Sequence, residues 1–385
     1  MTTYHRDYNL ANGNIVTNTV FAIVFCVITF CYVYFYQSDV LMSTQHLLSE
    51  GVTHYHPLIG AMIITLVLYL LQVGISFFLK RHMAISALAY FPSFLLLGAM
   101  TSYDMELTNL NPYHGYWLWV LPLALVLWGV VIYAVKELYI SFQLHKQTVG
   151  MFRLIWTNLL LMVMMFMAAV GMGIDNDIFH YRLRMERLMF EGDYEKAALV
   201  GWESQATDKT LTMLRAYSLS HEGMLGDRMF TFPLEGYRKA IFPTDSLSFV
   251  FFPKDSVYRH LGAIPVGKVY DNADVYIKVM ENSNLGTKAF GDYLLTGALL
   301  ERNLKGFAEL LPRYYEQTDS TPLPMHYREA LVVANEKGLY AYNDSVVEER
   351  YRLFDNVHNS SYRDLFYKRK SNKEFSNTYW NYYWN

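Results

Sequence analysis

The chain has 385 residues, 53% of them hydrophobic and 16% aromatic, with a formal net charge of −3. Neither sign of charge gathers into a patch or stripe, which excludes a nucleic-acid partner. Two cysteines, Cys26 and Cys31, are too few for a disulfide framework or a cysteine zinc site.

The averages join an apolar half, up to about residue 173, to a polar one. Apolar stretches run over 16–36, 58–79, 84–100, 116–135 and 154–173. Each approaches the ~20 residues that a ~30 Å hydrocarbon core demands, so the spacing predicts a five-span transmembrane helical bundle over 1–173. No Asp, Glu, Lys, Arg or His falls in the core of any span. Such groups mark ion paths and proton relays, and their absence argues against a pump, a coupled transporter or a charge-lined channel. The methionines at 162, 164, 165 and 167 read as flexible apolar packing.

Basic residues set the orientation. Arg6, Lys80, Arg81, Lys136, Lys146 and Arg153 occupy alternate gaps, and segments 37–57 and 101–115 contain no lysine or arginine. Short basic loops stay cytoplasmic, which predicts a cytoplasmic N-terminus and an extracytoplasmic region from Ile174 onward. The expectation is a multi-pass protein of a bacterial inner membrane, in contact with lipid, with a periplasmic domain over 174–385. The first span is read as an uncleaved anchor, because Gln37-Ser38-Asp39-Val40-Leu41 is a poor cleavage site.

The outer loops hold Asp39, His46, His54, His56 and His114. In an extended loop His54 and His56 share a face and suit a metal, but no cysteine or carboxylate stands at a ligand spacing. Asp39 matches the acidic residue that polytopic glycosyltransferases acting on lipid-linked sugars keep in their first outer loop. The plain alternative is a set of solvated polar side chains. No catalytic, cofactor or metal residue is assigned.

Beyond Gly173 the pattern becomes short amphipathic helices separated by glycine and proline. Helices are expected over 179–190, 194–206, 209–221, 273–281, 291–300, 304–315, 325–336 and 345–356, eight to ten in all. The run Phe190-Glu191-Gly192-Asp193-Tyr194-Glu195-Lys196-Ala197 resembles the inter-helix turn of a tetratricopeptide repeat, and Leu214-Arg215-Ala216-Tyr217 with Gly223-Met224-Leu225-Gly226-Asp227 is similar to a repeat's first helix and turn. The chain as a whole resembles uncharacterised polytopic membrane proteins of Bacteroidetes bacteria that carry a tetratricopeptide-like helical-repeat domain. The resemblance rests on Leu311-Pro312-Arg313-Tyr314-Tyr315, on 323–331 and on the tail Thr378-Tyr379-Trp380. It implies an α-solenoid and no activity. The repeat's early tryptophan and terminal proline are mostly missing.

Two segments depart from the repeat. Phe232-Pro233, Phe242-Pro243 and Phe252-Pro253 fall within 230–257, and each proline holds its phenylalanine extended. That segment either presents aromatic anchors on a concave face or crosses the domain with its rings in the core. The terminal Tyr379, Trp380, Tyr382, Tyr383 and Trp384 form either an interfacial anchor or a clip over the last helix.

Enzyme fingerprints are missing: no nucleophile elbow, phosphate loop or dinucleotide motif is found, and His221 beside Glu222 or His326 near Glu329 are pairs of a kind common in any long chain. The expected function is a periplasmic helical platform that binds or scaffolds another envelope protein. The alternative is an envelope enzyme or accessory subunit acting on lipid-linked glycans.

Overall fold

The computed structural model describes residues 18–79, 83–102, 117–141, 151–243, 249–251, 253–267, 272–315, 322–361 and 374–385. Arg6, Lys80, Arg81, Lys146, His114 and Phe252, on which several sequence expectations rest, lie outside the described residues. Every regular element among the described residues is helical. The chain separates into two compact units, Met1–Asn176 and Asp177–Asn385.

In the first unit, helix α1 (Asn18–Tyr36) closes with a π-helical turn over Tyr32–Tyr36. It is followed by α2 (Ser38–Leu48), α3 (Pro57–Phe78), a 3-10 stretch (Met83–Tyr90) leading into α4 (Phe91–Thr101), α5 (Trp117–Ser141) and α6 (Met151–Met172). Asn18–Tyr36, Pro57–Phe78, Trp117–Leu138 and Ile155–Met172 are long and apolar enough to cross a membrane; the apolar helix Ser86–Thr101 is shorter. The surface of α3 is the reverse of that of a water-soluble helix. Ala61, Thr65, Leu68 and Gln72, spaced by three and four, face inward and are buried, while Ile59, Met62, Ile63, Leu66 and Leu70 are exposed. Small and polar side chains inside with large aliphatics outside suit a hydrocarbon solvent, where close helix packing replaces the hydrophobic drive.

The third apolar stretch departs from a regular helix for an identifiable reason. Pro92 has no N–H to give the carbonyl four residues earlier, that of Leu88. The indole Nε1 of Trp128, on α5, donates to that oxygen at 2.9 Å. At the start of the same stretch the Asn158 side-chain oxygen, on α6, accepts from the Ala87 amide at 2.9 Å, and Ser93 donates to Leu68 O at 2.8 Å. Neighbouring helices thus satisfy what the 3-10 geometry leaves open.

The ends of these elements sort into two groups. The Tyr32 hydroxyl lies 3.5 Å from that of Thr101, and Gln37 Nε2 donates to Tyr32 Oη (3.0 Å) and Ile174 O (3.1 Å), gathering the C-terminal ends of α1, α4 and α6. Asn18, Leu79, Ser86 and Lys136 line one cavity, gathering the start of α1, the end of α3, the start of the 3-10 stretch and the last turns of α5. The 3-10 stretch with α4 therefore runs the same way as α1, from one end of the bundle to the other.

The second unit contains α7 (Asp177–Phe190), α8 (Tyr194–Leu199), α9 (Lys209–His221), α10 (Leu225–Arg228), α11 (Asp255–Leu261), α12 (Ala273–Ser283), α13 (Lys288–Leu300), α14 (Leu304–Tyr314), α15 (Met325–Glu336), α16 (Ser345–Ser361) and α17 (Tyr379–Trp384). Four helices stop in the same way. Asp193 N, Met224 N, Asn303 N and Leu339 N each donate to the carbonyl five residues back, at 2.8 to 2.9 Å. The residue before each has positive φ: Gly192 (82°), Gly223 (65°), Arg302 (55°) and Gly338 (66°). This Schellman closure spends orphan carbonyls and turns the chain back on itself. Three of the four positions use glycine, which enters that region without strain, so Arg302 is the one a glycine search misses.

Consecutive helices pack as hairpins, α7 with α8 and α9, and α13 through α16 in series. The array is also closed across itself. Short α10 packs on α13 and α15, and Asp227 Oδ1 accepts from Met325 N at 2.7 Å. One continuous core results, in which Tyr293, Leu295, Phe307, Tyr327 and Trp380 are buried.

If the Trp128 indole serves the Leu88 carbonyl as described, Trp128→Phe strands that oxygen in an apolar surround. The expected loss is about 1–2 kcal/mol of stability, read by denaturant or thermal unfolding in detergent.

Candidate functional site

The irregular segments of the second unit are held by buried charge. On α7, Glu186 is fully buried; its Oε1 accepts from Arg182 Nε at 2.8 Å and its Oε2 from Val250 N at 2.6 Å. Burial raises the Glu186 carboxyl pKa, opposed by the Arg182 charge and by the two loop amides. On α9, Arg215 donates to the carbonyls of Ala198 (3.4 Å), Pro233 (3.2 Å) and Val200 (3.0 Å), with its guanidinium 4.6 Å above the Phe232 ring. Burial brings its pKa down to about 10, so it remains a cation near neutrality. Both charges clamp backbone within 230–257. Phe232 and Phe242 are extended and buried, and Tyr258 donates to Pro243 O at 3.0 Å. The segment therefore crosses the domain with these two rings in the core, and the reading in which they act as exposed anchors is not what they do.

The tail is likewise a clip. Tyr379 and Trp380 are fully buried. Glu329 Oε2 accepts from Tyr379 N at 2.7 Å and pairs with His326 Nδ1 at 3.0 Å, while Glu329 O accepts from Trp380 Nε1 at 2.9 Å. Arg350 adds a charge 3.9 Å from Glu329 Oε1. His326 and Glu329 do come together, and their work is to seat the first turn of α17. A terminal carboxylate-to-amide contact of this kind also favours the helix dipole.

A third cluster joins α8, α9 and α11. The rings of Tyr194, His221 and His260 stack in sequence, with centroids 4.0 Å and 4.1 Å apart and planes within 16°. Tyr217 meets both imidazoles edge-on, and Ser220 Oγ lies 2.9 Å from His260 Nε2. The faces of His221 are covered while its rim meets solvent. Its pKa falls to about 4, through burial first and then the neighbouring His260, which is itself lowered by burial.

In the second unit several aliphatic side chains are exposed between Leu261 and Thr287. The two feet of this excursion are tied together: Thr287 N donates to Leu261 O at 3.0 Å and Thr287 Oγ1 to His260 O at 2.8 Å. Asp274, in the first turn of α12, pairs with Arg238 (3.0 Å) and Lys239 (2.8 Å). The inner face of α12 buries Tyr276, Ile277 and Met280; its outer face leaves Val275 and Val279 exposed, four residues apart. Ile264, Val266 and Leu285 are exposed on the flanking turns, Val266 at 83%.

The loop residues singled out from sequence are dispersed. Asp39 is buried, 2% exposed, in the first turn of α2, whereas His54 and His56 are exposed ahead of α3. Among the described residues no group of three His, Cys, Asp or Glu is placed to hold a metal. Arg215, the Arg182–Glu186 pair and Asp292, which accepts from Tyr315 (2.7 Å) and Tyr327 (3.2 Å), were not singled out from sequence. Their signal is a charge inside an apolar run, as in Met213-Leu214-Arg215-Ala216.

Two outcomes follow. Glu329→Leu leaves the Tyr379 amide and His326 without their acceptor; it is expected to cost about 2–4 kcal/mol and to open the C-terminus to carboxypeptidase, while Glu329→Gln keeps an acceptor and resists digestion. For the ring stack, native His221 and His260 bind protons less readily than in the unfolded chain. Their contribution is complete above about pH 6.5 and is lost as pH falls toward 4. His221→Phe retains the ring but cannot charge, and it should flatten the fall in melting temperature between pH 7 and 4.5.

No curated protein and no solved structure matches the chain. A family model does: it matches over residues 111–267 and 266–384, reaching from ahead of α5 through the tail. The chain belongs to DUF6057, a family of unknown function.

Proposed function

We propose that the protein is a five-span integral membrane protein of a bacterial envelope, with its N-terminus in the cytoplasm and its second unit in the periplasm. In this reading the second unit is a tetratricopeptide-like helical platform that binds another envelope protein. Three observations support the crossing number and orientation. A 3-10 helix rises ~2.0 Å per residue and an α-helix ~1.5 Å, so Met83–Thr101 covers about 32 Å, enough for a ~30 Å core. That element shares its ends with α1. The basic residues all fall in alternate gaps.

The observation that carries the platform reading is the pinned α12 excursion, which leaves Val275 and Val279 exposed on its outer face beside Lys278. Binding by a preorganised apolar patch avoids the entropy of ordering a loop on contact. Repeated Schellman closures and serial hairpins support descent from a helical repeat.

A photocrosslinking side chain at position 279, in intact cells, is expected to yield one discrete protein adduct. Val275→Glu with Val279→Glu removes that adduct and changes stability by only about 0.5 kcal/mol, since neither side chain is in the core. Retention of the adduct in the double variant would refute the platform. Digestion of the second unit by protease added to sealed spheroplasts tests the orientation, and full protection would overturn it.

One observation favours the second reading, an enzyme or accessory subunit for lipid-linked glycans: Asp39 is withdrawn from water next to a π-helical turn, a feature frequent at functional sites. Asp39→Asn that abolishes envelope function while folding normally would support it over the platform.

A further inference from the structure

We infer that the cavity at the Asn18 end of the membrane unit binds one anionic phospholipid, with its phosphate at Lys136 and an acyl chain laid between α1 and α3. The cavity has a volume of about 950 Å³, within the usual range for small-molecule sites. Its composition changes along its length. Asn18, Thr19, Ser76, Ser86 and Lys136 are at the helix-terminal end, and Ile23, Val27 and Val73 lie deeper. No aspartate or glutamate lines it, so Lys136 is its one charge among the described residues. Lys136 is partly buried near the end of α5, where a long side chain can keep its ammonium at the polar boundary.

The hollow continues. A second space of about 420 Å³ between α1 and α3 shares Cys26, Val27 and Tyr69 with the first, and it is walled by Phe30, Met62 and Leu66. From Ser76 to Met62 this groove follows α3 for fourteen residues, or about 21 Å, more than one leaflet's half of a ~30 Å core. A hydroxyl-rich, cationic mouth above an apolar groove matches the two ends of a phospholipid. A free phosphate would leave the groove empty, and an uncharged lipid would leave Lys136 without a counter-charge. This inference rests on the reading that these helices cross a membrane.

The chain offers its own probe, since Cys26 lines both spaces and Cys31 is the other cysteine. The full-length Cys31→Ser variant, purified in detergent, is exposed to a small maleimide with phosphatidylglycerol, phosphatidylcholine or inorganic phosphate. Phosphatidylglycerol should protect Cys26 at about fivefold lower concentration than phosphatidylcholine, and Lys136→Gln should erase that difference, as one lysine near an anionic headgroup contributes roughly that factor. Ala22→Trp, which fills the cavity, should also lose lipid retained in native mass spectrometry. Equal protection by both lipids, protection by inorganic phosphate, or no protection overturns the proposal. Carbonate extraction of the same variant separates the two failures. A chain that stays in the membrane with Cys26 unprotected refutes the lipid site alone, whereas a chain that is extracted refutes the crossing.

Discussion

A backbone amide or carbonyl that is denied its helical partner must find another, because leaving it buried and unpaired costs as much as several good contacts supply. Both units are organised by that demand. In the first, the carbonyl freed by Pro92 takes the Trp128 indole, and the Ala87 amide within the 3-10 stretch takes Asn158. In the second, Glu186 collects the amides of Val250 and Phe251, Arg215 collects three carbonyls, and Glu329 collects the first amide of the tail helix. At each of these places a polar side chain from another helix supplies the missing partner.

This arrangement explains why the second unit is a frame rather than a string of hairpins. In an open solenoid each repeat touches only its neighbours, so stability adds along one dimension. Here the Asp227–Met325 contact and the seating of α17 on α15 tie residues 98 and 50 positions apart, respectively, into one core. Against that fixed background α12 stands out as a short helix tied at its feet, with Val275 and Val279 exposed beside Lys278 on its outer face. The first unit solves the opposite problem. Its large aliphatics face outward, and the specificity of its packing lies in Ala61, Thr65, Gln72, Ser93 and Asn158, few of which look important in a hydropathy profile.

The candidate surfaces were unevenly legible. The Phe-Pro steps declare extended backbone, and Phe232 and Phe242 adopt it, but nothing local says whether the rings turn inward; Arg215 covers the first ring, and Tyr276 and Tyr293 meet the second. The aromatic tail left two readings open. Glu329 closes the question through a hydrogen bond across fifty residues. Asp39 looks like a solvated loop acid in sequence and is instead buried in a helix that the apolar pattern did not announce. The α12 patch was invisible because its valines alternate with core residues at the same helical spacing, and hydrophobicity alone does not separate an inner face from an outer one.

What the sequence by itself determined is the local and the additive: all-helical structure, apolar segments of membrane-crossing length, and turns at Gly192 and Gly223. These follow from propensity, hydropathy and backbone sterics, which act within a few residues. Only the tertiary structure decided the 3-10 form of Met83–Tyr90, the positive φ of Arg302, the inward Phe-Pro segment, the seated tail and the cavity beneath Lys136. Each depends on a group far away in the chain, and a hydrogen-bond partner is chosen by proximity in space, which local pattern does not encode.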